Sequence, residues 1–382
     1  MKKELPSGSL VICYADDTLV LTAGEDWEEA TILSNITTDI IIRRIQDLGL
    51  DVAPEKTEAV GFHDRGRPAH TNIRILGTSV KVGTTMKYLG LTLDSKWKFE
   101  AHFSNLAPRL EKAALSLSGL LPNLGGPNDK VRRFYAQVVA SMALYGAPVW
   151  AYEIVKNRKC LQVIRQTQRR MAGRLIRAYR TTSWISNTVL AGMPPFELEA
   201  RRQEEAYARI TEIRRNTPRH IPVPRATIEG IKVETKRNLI RKWKVWLNDR
   251  IPQEDVVIRA IRNQLEDWLD AKVGLSFRAT QVLTGHGCFG RYLCRIGREP
   301  LPECWSCGAE MDSVKHTLRY CPAWTIERNA LQDVLGLNPD WRTIISALRR
   351  EDGRKAFMEF CEGVMRKKED MDRDRERAVV VS

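Results

Sequence analysis

Leu10-Val11-Ile12-Cys13-Tyr14-Ala15-Asp16-Asp17-Thr18-Leu19-Val20-Leu21 places two adjacent carboxylates at a sharp break between two apolar and β-branched runs. Runs of strand length on either side of a short polar step predict a tight hairpin, with the carboxylates projecting from its turn. Paired aspartates displayed in this way suit phosphoryl transfer. There, two divalent ions about 3.5 to 4 Å apart activate the attacking oxygen and steady the leaving group. Mg2+ prefers a few carboxylates together with water and phosphate oxygens. The pair equally suits an ordinary turn, because Asp is a favoured turn residue.

The 382 residues, 43% of them hydrophobic, allow two or three domains with their own cores. A net charge of +14, carried by 61 Lys and Arg spread over most of the chain, points to a polyanionic partner such as DNA or RNA. The sequence contains no uninterrupted apolar run of membrane-spanning length, so a membrane is not an expected partner. It also shows no signal-peptide pattern.

After the hairpin, apolar residues at Ala30, Leu33, Ile36, Ile40, Ile41, Ile45 and Leu48 predict a helix over 27–48, stopped by Gly49. Strands are expected at Thr57–Phe62, Ile73–Leu76, Ser79–Val82 and Met86–Leu93, with Gly77 and Gly83 in turns. The layer is therefore α+β. From Phe99 onward the pattern is helical. One helix opens at Pro127 and Asn128 and ends at Gly146 and Pro148, and a basic one is expected from Ile154 to Tyr179. The mixed charges of Arg366 to Arg377 predict a solvated helix or frayed tail.

Two further groups carry chemistry. Cys304, Cys307, His316 and Cys321 combine a close cysteine pair, which suits a tight knuckle, with a His and a Cys that suit a short helix. Three thiolates and an imidazole fill a tetrahedral Zn2+ and leave no open position. The site is expected to be structural and to contribute on the order of 10 kcal/mol or more to local folding. Cys288 and Cys294 are more widely separated and are expected to be neutral thiols. Arg165, Arg169, Arg170, Arg174 and Arg177 recur at helical spacing with no acidic residue between Lys156 and Arg180, a stripe able to track phosphates. Trp243 and Trp246, set among Lys236, Arg237, Arg241, Lys242 and Lys244, could stack on bases. Their spacing with Leu239, Ile240 and Leu247 favours the core.

The order of these features resembles the second half of a non-LTR retrotransposon reverse transcriptase, similar to the type-1 elements inserted in insect ribosomal RNA genes. The resemblance rests on Leu5-Pro6-Ser7-Gly8 with Tyr14 to Thr18, Gly49-Leu50 with Pro54, Lys56 and Thr57, and Tyr88-Leu89-Gly90 with Leu93-Asp94. Tyr145 to Trp150, and Leu283 to Gly287 ahead of the cysteine cluster, extend it over nearly the whole chain.

It implies a partial palm with primer grip over 1–95, a thumb and basic helix over 96–180, a helical linker over 181–270 and a zinc-binding, nucleic-acid-binding domain over 271–382. It further implies RNA-directed DNA synthesis, in which Asp16 and Asp17 hold Mg2+. Lys56 would assist the departing pyrophosphate, and Tyr14 and Ala15 would shape the nucleotide site. Tyr88, Leu89 and Gly90 would approach the primer. The implied partners are an RNA template, a DNA target and primer, and deoxynucleoside triphosphates, in the nucleus. An endonuclease would belong to the full polyprotein. Only 15 residues precede Asp16, whereas the family needs an earlier palm aspartate and template-binding fingers. The chain by itself is expected not to polymerise. The competing expectation is a noncatalytic, zinc-containing nucleic-acid-binding protein derived from such an element.

Overall fold

Three small sheets and a long series of helices make up the described residues. The computed structural model describes residues 5–63, 71–119, 121–218 and 220–381. They fall into two units, Met1–Leu106 with Tyr152–Cys160, and Ala107–Ala151 with Leu161–Ser382.

In the first unit, β1 (Ser9–Tyr14) pairs antiparallel with β2 (Asp17–Thr22), from Ser9 opposite Thr22 to Tyr14 opposite Asp17. Ala15 and Asp16 form the turn. α1 (Trp27–Asp47) starts where Asp26 accepts a hydrogen bond from the Glu29 N–H at 2.8 Å, and Gly49 turns left-handed (φ 75°) just beyond its end. One face of the hairpin meets α1 through paired hydroxyls, Ser9 with Thr37 at 2.8 Å and Thr22 with Ser34 at 2.5 Å.

A 3-10 turn, Pro54–Lys56, leads to β3 (Ala59–Val60), followed by β4 (Asn72–Ile75) and β5 (Thr78–Gly83) in the order β3-β5-β4. The run expected to be a strand over Thr57–Phe62 yields only two strand residues. They pair with Val82 and Gly83, the last two positions of β5, so the partner runs out there. Gly61 then lies so close to the Trp27 ring that a Cβ would stand 2.5 Å from it. Met86–Leu93 is two strands rather than one, β6 (Thr85–Tyr88) and β7 (Leu91–Asp94). Leu89 and Gly90 both adopt positive φ, 45° and 80°, which is the two-residue hairpin turn whose twist matches the strands. Leu76 and Gly77, at 47° and 80°, repeat this turn between β4 and β5. Ile42, Ile75 and Val80 form a small core with Val52, Ala59 and Ile73.

From Glu100 the described chain is helical. Its first helices are α2 (Glu100–Gly119), α3 (Asp129–Ala143), α4 (Ala147–Ile154), α5 (Arg158–Leu175), α6 (Trp184–Ala191), α7 (Phe196–Asn216) and α8 (Arg225–Asn248). α9 (Val256–Asn263), α10 (Leu265–Ala271), α11 (Phe277–Thr284), α12 (Gly290–Arg295), α13 (Val314–Arg319), α14 (Thr325–Leu335), α15 (Trp341–Ala347) and α16 (Glu351–Val381) complete the series. Pro148, expected to end a helix, begins one. In the first turn of α4 a missing N–H has no partner to lose. The single helix expected over 154–179 is broken, because the Asn157 side chain accepts from the N–H groups of Lys159 and Cys160 at 3.1 and 3.3 Å and caps a new start at Arg158.

In the second unit Arg132 is fully buried, its guanidinium donating to the carbonyls of Pro122, Gly125, Pro127 and Arg174. Those bonds hold the irregular 122–128 segment. Trp243 is also fully buried, and Trp246 packs edge-on against Trp184 at 5.6 Å with the Arg250 guanidinium 4.4 Å over its ring. Trp243 is therefore core, whereas Trp246 is half-buried with its ring already packed against Trp184 and Arg250.

Candidate functional site

The aspartate pair sits where the alternating pattern of the hairpin reverses. Val11 and Val20 are half-buried, whereas Leu10 (54%), Ile12 (42%) and Tyr14 (65%) leave the opposite face open. Asp16 and Asp17 are exposed at its tip. Ala15 holds φ 51° at a turn position that glycine usually takes, so the backbone carries strain beside the carboxylates. Lys56 is exposed at the end of its 3-10 turn. Tyr88, Leu89 and Gly90 form the β6–β7 turn, where Gly90 is the natural occupant of its positive φ.

The cysteine cluster is assembled in full. Ligand atoms of Cys304, Cys307, His316 and Cys321 all lie within 4.8 Å of one another, with Cys304 Sγ 3.9 Å from Cys321 Sγ and Cys307 Sγ 3.3 Å from His316 Nε2. These separations match the edges of a tetrahedron with metal–sulfur bonds of about 2.3 Å. Among the described residues it is the one such group of three or more potential ligands.

Local backbone explains the convergence. The Cys304 carbonyl accepts from the Cys307 and Gly308 N–H groups at 3.3 and 2.7 Å, and Gly308 takes φ 74°, which closes the knuckle. Ser313 caps α13 on the His316 N–H at 3.2 Å. The His316 carbonyl in turn accepts from Tyr320 and Cys321 at 2.8 and 2.9 Å, fixing one ligand to another. Cys321 lies just past the helix, not on it. Burial pushes the Cys321 thiol up to about 12 and raises Cys304, with the Asp312 carboxylate adding to the shift there. Burial also lowers His316, favouring the neutral imidazole. A bound dication would reverse the thiol preference and release the protons. Cys288 and Cys294 stand apart, their thiols directed at Asp372 Oδ2 (3.5 Å) and the Pro300 carbonyl (3.7 Å).

The arginine row is less open than its sequence predicts. Its acidic partners come from distant segments: Arg165 pairs with Glu197 at 2.5 Å, Arg170 with Glu111, and Arg177 with Asp129 at 2.6 Å. Arg169 donates to the carbonyls of Thr182 and Arg180, both at 2.9 Å. Arg177 also turns left-handed beyond α5 (φ 59°). Spacing alone missed these ties because none of the partners lies on the same helix.

The tail is likewise engaged. Along α16, Glu362 and Glu369 pair with Arg278, Asp372 and Glu376 with Arg298, and Arg375 with Glu299 while its guanidinium lies 4.2 Å over Trp305. Arg366 to Arg377 continue α16 with 373–377 exposed, the solvated helix that their mixed charges predict, while Asp372, Arg375 and Glu376 also pair with the segment that precedes the knuckle.

Over 332 residues, 85% of its length, the chain is 26% identical to a 115 kDa protein in the type-1 retrotransposable element R1DM of Drosophila melanogaster, and spans 31% of that relative. It is 24% identical over 345 residues to a retrovirus-related Pol polyprotein from a type-1 retrotransposable element of Nasonia vitripennis, covering 83% of this chain and 85% of that one. It is also 25% identical over 170 residues, 43% of this chain and 18% of the relative, to the RNA-directed DNA polymerase from the Drosophila mobile element jockey. No protein-family model and no solved structure matches it.

Proposed function

We propose that this chain, whose homologues are type-1 retrotransposon Pol polyproteins and non-LTR reverse transcriptases of insects, serves RNA-directed DNA synthesis within such a polyprotein. The observation that carries this is similarity to Pol polyproteins along more than four-fifths of the chain. The hairpin tip supports it, since two exposed carboxylates on a strained turn are what Mg2+ would need beside waters and phosphate oxygens. Asp16 and Asp17 would orient the primer hydroxyl and the triphosphate, and Tyr14 and Ala15 would shape the nucleotide site. The Lys56 ammonium would neutralise charge developing on the leaving pyrophosphate. The Tyr88–Gly90 turn would meet the primer backbone.

The parts are a palm portion over 1–95, a thumb over 96–180, a linker over 181–270 and a zinc-supported nucleic-acid-binding portion over 271–382. Zn2+ would be held by Cys304, Cys307, His316 and Cys321. Its donor set is closed, which suits a structural role. Template RNA, target DNA and deoxynucleoside triphosphates are the partners, in the nucleus. An endonuclease activity belongs to the full polyprotein.

Primer extension on an RNA template by the polyprotein carrying this sequence tests the assignment. Asp16→Asn or Asp17→Asn is expected to lower extension by about a thousandfold or more while template–primer affinity stays within about twofold. Retained extension by either variant refutes it.

A further inference from the structure

A groove of 770 Å³ opens in the second unit between α8, α9, α14 and α15. Three of its lining residues are cations, Lys244, Arg342 and Arg350, and no carboxylate lines it. Among the described residues no acidic side chain lies within ion-pair distance of Lys244 or Arg342; the Asp340 carboxylate, held down chiefly by its hydrogen bonds with Thr343, also feels the Arg342 guanidinium. The bonds that fix these positions use backbone carbonyls instead: Arg262 donates to the Lys244 carbonyl at 3.3 Å and Gln264 to the Arg342 carbonyl at 3.0 Å. Arg350 pairs at 3.3 Å with Asp352, but both side chains are about 60% exposed, so a phosphate can take over that bond.

Hydroxyls of Thr343 and Ser346 line the same wall, and Val334 and Leu335 supply an apolar patch. At one end a smaller cavity of 380 Å³ shares Ser346 and Arg350 and brings in Asp270, Asp267 and Arg349, the last two paired at 2.7 Å.

We infer that this groove binds the phosphodiester backbone of a single-stranded nucleic acid, with Lys244 and Arg342 as the phosphate ligands and a base or sugar against Val334 and Leu335. The inference deepens the function proposed above and rests on it. Guanidinium forks match phosphate oxygens bidentately, and a positively charged groove tracks the backbone of an unpaired strand without reading its sequence. The volume admits one or two nucleotides, so a duplex is excluded from its floor.

The test is fluorescence anisotropy of the full, zinc-loaded chain with a labelled single-stranded RNA across a salt series. Lys244→Gln with Arg342→Gln is expected to weaken binding about 10-fold at low salt and to flatten the log–log salt slope by about 1.4, near 0.7 for each phosphate no longer neutralised. Lys355→Gln with Arg373→Gln, which removes two exposed charges elsewhere, should leave the slope unchanged. On the unaltered chain, bound RNA should shield Lys244 from acetylation.

An unchanged slope in the groove variant, or no shielding of Lys244, overturns the groove while leaving the proposed function standing. Failure of the unaltered chain to bind RNA overturns both. Displacement of the RNA by inorganic phosphate at equal phosphate concentration makes this a free-anion site and overturns the nucleic-acid assignment.

Discussion

Lys368 Nζ stands 2.6 Å from Asp312 Oδ2 with both side chains almost wholly enclosed, 3% and 4% exposed. Asp312 also accepts from the Gly290 N–H at 3.1 Å and lies within 3.3 Å of the Thr317 hydroxyl, so one carboxylate joins α12, α13 and α16 beside the cysteine cluster. Removing one member of a buried pair leaves the other charged and unsolvated, at a cost of about 3 to 5 kcal/mol. Lys368→Met should therefore lower the urea midpoint of this unit by a corresponding amount with its slope unchanged. A midpoint equal to that of the unaltered chain would remove the pair from any organising role.

One equivalent of zinc per chain is expected by atomic absorption, falling below about a tenth in Cys304→Ser. With it, the 299–325 segment should open to limited proteolysis. Equal metal in both proteins would exclude the cluster as the binding site.

Arg132 makes a third test. Burial holds its guanidinium down to about 10, with Arg177 nearby adding to the effect, and it remains charged at neutral pH. Its donors satisfy four carbonyls of the second unit, so Arg132→Met orphans all of them and should cost about 3 kcal/mol or more. Arg132→Lys should recover only part of the loss in thermal melts, because an ammonium lacks the planar fork. Full recovery by lysine would mean that charge, not geometry, is what the 122–128 segment requires.

His286 predicts a pH dependence. Burial lowers its pKa from 6.5 to about 4, while Nδ1 lies 2.9 Å from the Thr284 carbonyl and the ring packs on Tyr179 and Tyr292. Above pH 6.5 both folded and unfolded forms are neutral and the contribution is fully present. As the pH falls from 6.5 towards 4, only the unfolded form takes the proton, and stability declines by an amount of order 3 kcal/mol. His286→Phe should flatten that part of the stability–pH curve. An equally steep curve in the variant would assign the slope to other groups.

Local chemistry made much of this legible in advance. The hairpin at Tyr14 to Asp17 and the helix stopped at Gly49 depend on residue types within a few positions of one another, and the Cys304–Cys321 cluster on a short stretch of one chain, where periodicity and turn preference act directly. The sequence alone determined a mixed α+β chain with an aspartate-tipped hairpin and a cluster of three cysteines and a histidine.

Tertiary structure decided what the charges do. Arg165, Arg170 and Arg177 find their acids 32, 59 and 48 residues away, and the tail of α16 finds the knuckle some 60 to 80 residues back. An ion pair requires only that two side chains meet in space. Spacing along one helix therefore reveals which charges share a face, and only the packing of other helices reveals which already have an acidic partner and which, as at Lys244 and Arg342, face an open groove.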